Sequence, residues 1–350
     1  MSNDQTLVVL TPGFAHDETD TTCLPLQQSL IKALKDSYPQ LNIVILTFQY
    51  PYFKKKYNWF GTTVISFNGQ NKGGFSKLLL RQKIYKALTE INNNNIICSI
   101  LSFWCGECAL TGNRFADKHG LKHYCWILGQ DAKESNKYAK YIKLKTDELI
   151  ALSDFIQQEF KKNHGIRPKH IIPAGIDPKQ FDSIVKEKDI DIIAAGSLIP
   201  LKRYDMLVHM IAVLKKQMPG IKAVLIGDGP GKKKLQQLIA AQDLQTNIIL
   251  TGELPHGEVL RWMQRGKIFL HPSMYEGFGV VCAEALYAGC HVISFCQPMK
   301  LAIEHWHIIT TKEEMIQQAL QILQNPQTTC NRVIFFTVDD IAKKMMELFK

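Results

Sequence analysis

The chain has 350 residues, 46% of them hydrophobic, and a net charge of +10, which gives enough apolar material for two domains with separate cores and excludes an intrinsically disordered chain. Residues 1–5 are polar and lead straight into the apolar run 6–10, and no stretch approaches about 18 apolar residues, so the expectation is a cytoplasmic protein that does not span a membrane. The nine cysteines are odd in number and scattered, as in a chain kept reduced, and the positive balance calls for an anionic partner: nucleic acid, an anionic membrane surface or a phosphorylated small molecule.

Taken in order, residues 7–10 read as a buried strand that breaks at Pro12-Gly13, and 24–34 carry apolar positions at helical spacing. The loop between them holds His16, Asp17, Glu18 and Asp20, groups suited to orienting hydroxyls. Residues 42–48 predict a second strand. The segment 50–60 then interleaves Tyr52, Phe53, Tyr57, Trp59 and Phe60 with Lys54, Lys55 and Lys56, a mixture suited to a membrane interface. Residues 72–86 predict an amphipathic helix with Lys77, Arg81, Lys83 and Lys86 on one side and Phe75, Leu78, Leu79 and Ile84 on the other. A strand at 96–102 runs into Phe103-Trp104-Cys105-Gly106-Glu107-Cys108. This looks like a thioredoxin motif but comes too late in the chain for one, so a helix over 107–119 is expected instead. Residues 121–128 form a further strand, in which His123 reads as a core histidine, and Gly129-Gln130-Asp131 closes it. A strand at 147–153 precedes a helix capped by Ser153 and running to about Lys162.

Beyond Pro168 the chain passes through Gly175-Ile176-Asp177 and begins a second strand-loop-helix series: 190–195, 222–226 with 232–242, and 248–251. Short connections between alternating strands and helices predict a parallel sheet, and ligands of such sheets sit beyond the carboxyl ends of the strands. Asp189 and Asp191 resemble a paired-aspartate metal motif but precede their strand, so no metal is assigned. Residues 338–349 form an apolar stripe on a terminal helix.

The stretch 271–295 carries the chemistry. Met274-Tyr275-Glu276-Gly277-Phe278-Gly279 is a glycine-punctuated loop, 280–287 predicts a helix, and 291–295 a buried strand. A helix opening just after glycines presents bare amides and the positive end of its dipole, which is a phosphate cradle. Glu284 lies about 7.5 Å along that helix from Gly279, a reach suited to a ribose, and Glu276 stands on the loop side, where a sugar on the far phosphate would lie.

These residues resemble the donor site of the family 4 retaining glycosyltransferases of the GT-B fold; Pro272-Ser273, Glu276-Gly277-Phe278-Gly279, Glu284-Ala285 and Ala288-Gly289 fall where that family's pattern has them. The resemblance implies two Rossmann-like doubly wound domains facing a cleft: an acceptor-side domain over 1–168, a nucleotide-sugar domain over 169–335, and a C-terminal helix, 336–350, returning to the first. It implies a donor site of Gly196, Ser197, Lys202, Arg203, Gly227, Leu254, Glu276, Gly277, Phe278, Gly279 and Glu284, with Glu276, Lys202 and Asp131 as catalytic residues. Lys202 matches the family lysine; Ser197 replaces the usual arginine, with Arg203 as compensation, and Leu128 replaces the usual histidine. The implied activity is retaining transfer of a hexosyl group from a nucleotide-diphosphate sugar to a hydroxyl of a sugar or lipid-linked acceptor, in cell-surface glycan or glycolipid synthesis. It needs no cofactor or metal, the nucleotide sugar serving as co-substrate, and no nucleic acid. The expected location is the cytoplasm, at the inner face of a membrane. Alternatives on the same fold are a sugar-nucleotide-binding protein without turnover and a phosphorylase or epimerase.

Overall fold

The computed structural model describes residues 5–183 and 187–349. The chain divides into two compact units. The first runs to Gly175 and is joined by the C-terminal helix from Val338; the second is Ile176–Thr337.

In the first unit, β1 (Gln5–Gly13), β2 (Asn42–Tyr50), β3 (Lys55–Trp59), β4 (Thr62–Ser66), β5 (Ile96–Phe103), β6 (His123–Ile127), β7 (Leu149–Ala151) and β8 (His170–Ile171) form one sheet. Their order is β3-β4-β2-β1-β5-β6-β7-β8. Every pair is parallel except β3 with β4, which form a hairpin out of the aromatic-lysine segment. Leu7, Val8, Val9 and Leu10 are wholly buried, as a strand covered on both faces must be. The expected break at Pro12 does not occur. β1 continues to Gly13 opposite Tyr50, with a register shift after Thr11 that absorbs the proline's missing donor.

The helices of this unit are α1 (Pro25–Ser37), α2 (Gly74–Asn94), α3 (Glu107–His119), α4 (Tyr138–Tyr141) and α5 (Asp154–His164). Ser153 caps α5 by accepting from Ile156 N at 3.1 Å. His123 is a core residue, its Nε2 2.9 Å from Ser102 Oγ and its buried Nδ1 without a partner, and burial pushes its pKa down to about 3. The expected division of α2 into a basic and an apolar side does not hold: of Phe75, Leu78, Leu79 and Ile84 only Ile84 is buried, because the helix registers on the sheet through Leu80, Ile84, Leu88 and Ile91. The core there joins these side chains to Val8, Leu46, Phe48, Ile100 and Phe115.

The second unit has β9 (Ile190–Ala195), β10 (Ala223–Ile226), β11 (Ile248–Gly252), β12 (Gly266–His271), β13 (His291–Ser294) and β14 (Trp306–Ile308), all parallel, in the order β11-β10-β9-β12-β13-β14. Its helices are α6 (Tyr204–Leu214), α7 (Lys232–Ala241), α8 (His256–Met263), α9 (Val280–Tyr287) and α10 (Lys312–Gln324). β9 lies between β10 and β12, so connections leave it in opposite senses and a crevice opens beyond its carboxyl end. The terminal helix α11 (Val338–Phe349) belongs to the first unit, packing on α1 and accepting at Leu348 O from the Tyr124 hydroxyl at 2.8 Å.

Candidate functional site

The loops after β9, β10 and β11 are laced together by their own backbones. Gly196 N donates to Ile226 O at 3.0 Å, Leu198 N to Asp228 O at 2.9 Å, and Gly227 N to Gly252 O at 2.8 Å. A Cβ on Gly227 would sit 2.1 Å from Gly196 O, and its φ of 140° is one that side chains rarely adopt, so only glycine lets the two loops meet. The loop after β12 is fastened to the same frame by Ser273, wholly buried, whose hydroxyl reaches Leu201 O at 3.3 Å and Tyr275 O at 3.2 Å. Pro272-Ser273 is thus a tether that fixes where Glu276 emerges.

Gly279 caps α9 with φ 74°, turning the chain so that the helix starts abruptly. The first amides of a helix have no acceptor within it, so this end offers donors and a positive field to an anion. Phe278 plays a supporting part. Its side chain is buried, with its ring centroid 5.9 Å from that of Phe335 and 6.5 Å from that of Trp306, leaving only its backbone to face a ligand.

Two glutamates stand at this cradle, each held by cationic or imidazole side chains. Glu276, 17% exposed, is hydrogen-bonded by the Lys202 ammonium. His271 Nε2 lies 3.1 Å from the same oxygen, without the angle of a hydrogen bond. Burial works against ionisation of Glu276, but His271 and Lys202 outweigh it and hold the carboxyl down at about 2. Glu284 accepts from His256 Nε2 at 2.8 Å. Burial opposes the charge on His256, and the Glu284 carboxylate reverses that and raises its pKa. Sequence reasoning missed both histidines; the available signal was position, since one ends β12 and the other begins α8, at the carboxyl edge of the sheet.

Of the remaining expected donor residues, Arg203 takes a left-handed conformation at the start of α6 and lays its guanidinium over the Phe295 ring, 5.7 Å from its centroid. Ser197 is exposed, while Gly227 and Leu254 are half-buried at the ends of β10 and β11. The Tyr204 hydroxyl is buried without a hydrogen-bond partner, and a Cβ on Gly196 would lie 2.8 Å from it. Asp189 and Asp191 are taken by Arg265 (2.9 Å) and Lys267 (2.9 Å). Among the described residues no group of three or more His, Cys, Asp or Glu side chains could hold a metal ion.

In the first unit, Asp131 is buried and fully occupied. Its Oδ2 accepts from Cys105 N at 2.7 Å, and its Oδ1 from Gly129 N at 2.8 Å and Leu128 N at 3.1 Å. Burial pushes its carboxyl up, against the pull of those amides. It staples the loop after β6 to the loop after β5. Cys105 and Cys108 are buried free thiols. The loop after β1 is knit by Asp20, which receives the Tyr50 hydroxyl at 3.1 Å and lies 2.8 Å from His16 Nδ1. Burial opposes ionisation of Asp20, and these partners with the backbone N–H donors hold it at about 2.

Two parallel-sheet units in one chain, the second with a glycine-led helix and two glutamates at its crevice, define the GT-B class. The structure superposes on a glycosyltransferase from Rickettsia africae with TM-score 0.74 at 16% identity, covering 99% of this chain and 98% of that one. It superposes on sucrose-phosphate synthase from Thermosynechococcus elongatus with TM-score 0.73 at 16% identity, again covering 99% and 98%. The family model described as "Glycosyl transferases group 1" matches residues 176–333, nearly the whole second unit. In sequence, the chain is 29% identical over 201 residues to the phosphatidylinositol N-acetylglucosaminyltransferase gpi3 subunit of Schizosaccharomyces pombe, a match covering 55% of this chain and 44% of the relative. The chain thus spans less than half the length of that relative; its likeness to glycosyltransferases rests on the second unit's sequence, and its GT-B fold on the superposition of the whole chain.

Proposed function

We propose that the chain transfers a sugar, with retention, from a nucleoside diphosphate sugar to a hydroxyl acceptor. The observation that carries this reading is the half-buried, ionised Glu276 held by Lys202 beside the abrupt start of α9. Lys202 and Arg203, with the amides of Gly277, Phe278 and Gly279, take the diphosphate. Breaking the bond from the anomeric carbon to phosphate oxygen places negative charge there, and donors already oriented lower that barrier. When Lys202 turns to the phosphate, Glu276 is released to accept from sugar hydroxyls, fixing the anomeric carbon. The acceptor oxygen attacks from the face the phosphate leaves, and its proton passes to that phosphate. Glu284, steadied by His256, accepts from the ribose hydroxyls, and the loops at Gly227 and Leu254 flank the base. Asp131 contributes by holding the loop beyond β6. The gpi3 relative's printed name supports a lipid-linked acceptor, and with it work at a membrane surface.

A panel of nucleotide sugars in a thermal-shift assay tests the donor. A ligand at 100 times its dissociation constant stabilises by about 2.7 kcal/mol. Release of free nucleoside diphosphate together with acceptor-dependent product is the expected result. Binding without release would leave a sugar-nucleotide-binding protein, and phosphate-dependent or isomerised products would point to a phosphorylase or an epimerase.

A further inference from the structure

The first two turns of α2 face water with apolar side chains. Phe75, Leu78 and Leu79 are 73%, 50% and 38% exposed. Residues spaced three and four apart share one helix face, so these three make a continuous strip, which Gln82, Lys83 and Lys86, all exposed, extend toward the C-terminus. The nearer cations are turned inward. Arg81 Nε lies 2.7 Å and Lys77 Nζ 3.4 Å from the Glu107 carboxylate, and Lys77 also reaches the Tyr138 hydroxyl. Water alone would favour the opposite arrangement, with cations outward and leucines packed.

The connection from β2 to β3 brings a second apolar group to the same end of the sheet. Lys55 stands opposite Ser66 at the end of β4, Ser66 Oγ donates to Phe53 O at 2.8 Å, and the chain leaves β4 there to enter α2. Gly69 N is bound to Phe48 O at 2.8 Å and Asn71 N to Gln49 Oε1 at 2.8 Å, fixing the start of α2 beside the end of β2. Tyr52 and Phe53 are exposed at this end, with Lys54, Lys55, Lys56 and Lys72 exposed around them. Between Asp36 and Glu90 the sequence has no acidic residue; Lys77 and Arg81 face Glu107 and Lys86 lies 4.0 Å from Glu90, while Lys54, Lys55, Lys56, Lys72 and Lys83 stand exposed. Such one-signed charge beside exposed aromatic and aliphatic groups is complementary to an anionic surface with an apolar interior. Among the described residues no helix is long and apolar enough to cross a membrane, so contact of this kind would lie in the interface plane.

We propose that this end of the first unit docks on an anionic lipid bilayer, with Tyr52, Phe53, Phe75, Leu78 and Leu79 entering at headgroup depth and the lysines on lipid phosphates. The surface is independent of the donor site, so failure of one reading leaves the other standing.

Vesicle flotation of the full chain without nucleotide tests it, comparing phosphatidylcholine vesicles with vesicles that also contain phosphatidylserine. The wild-type chain should float with the anionic vesicles at low salt and bind them at least about ten-fold more weakly at high salt. The triple change Phe75→Ser, Leu78→Ser, Leu79→Ser should lower binding about ten-fold or more, with no change in unfolding temperature because the positions are exposed. Changing Lys54, Lys55 and Lys56 to Glu should lower it on the order of 100-fold. A Phe75→Trp variant should shift its emission to the blue on meeting anionic vesicles. Wild-type protein that stays unbound at low salt overturns the proposal, as does a serine variant that floats like wild type or a tryptophan whose emission stays put. Self-association lost in the serine variant, without vesicle binding, would assign the face to a second copy and overturn it too.

Discussion

Glu276 and Glu284 of the second unit and Asp131 of the first are satisfied by different kinds of donor. In the second unit, Glu276 and Glu284 are held by Lys202 and His256, flexible side chains that a ligand can displace by offering phosphate or hydroxyls instead. In the first unit, Asp131 is held by the backbone amides of Cys105, Leu128 and Gly129, which cannot leave without unmaking two loops. An acid bound by side chains is available to exchange partners; one bound by main chain is committed to structure.

The sharpest test of that contrast is Glu276→Ala. Transfer should fall on the order of 1000-fold while nucleotide affinity is kept, because the group acts on the sugar as charge develops. Equal loss of nucleotide affinity would place Glu276 on the nucleotide instead. The same carboxylate should report in stability. Its folded pKa of about 2 lies below the ordinary value of 4.5, so its contribution is present above about pH 4.5 and lost as pH falls toward 2. The two values correspond to roughly 3 kcal/mol, and Glu276→Gln should flatten that acid limb in a denaturation series across this range.

Next in size is Asp131→Ala, expected to cost about 3 kcal/mol by stranding buried amides, seen as a lower midpoint in denaturant. A variant that unfolded like wild type but had lost transfer would make Asp131 a participant in the chemistry rather than a staple. Glu284→Ala should weaken nucleotide and nucleotide sugar alike by roughly 1.5–3 kcal/mol in calorimetric titration. Loss of the sugar nucleotide alone would contradict the ribose assignment.

The smallest effect concerns His256. Its folded pKa is raised, so its contribution to stability is complete below about pH 6.5, the unfolded value, and is lost as pH rises through the folded one. His256→Gln should remove that alkaline decline and change nucleotide affinity only a few-fold. An unaltered pH profile would show the contact with Glu284 to be idle. Transfer is also expected to survive chelation of divalent metals, since cationic side chains and amides meet the leaving group; loss restored by added magnesium or manganese would refute this.

Local chemistry was enough to read much of the second unit from sequence. β9 and α9 fall at the expected residues because β-branched runs bounded by glycine, and a helix started by Gly279 and ended at Ala288-Gly289, depend on dihedral preferences within a few positions. In the first unit the bounds of α3 were legible for the same reason. β12, β14 and α10 were not read, although Thr311 and Glu314 form a capping box that marks the start of α10. The spacing of Phe75, Leu78 and Leu79 revealed a shared face but could not say whether the face meets core or water. That depends on which side chains α2 lays on a sheet assembled from β1, β2 and β5, far apart in the chain. The partners of Glu276, Glu284 and Asp131 are Lys202, His256 and Cys105, which lie 74, 28 and 26 residues away along the chain. No local propensity encodes such pairings. They exist because the parallel sheets bring the carboxyl ends of separate strands to one edge, and there the loops choose their partners by distance in space rather than in sequence.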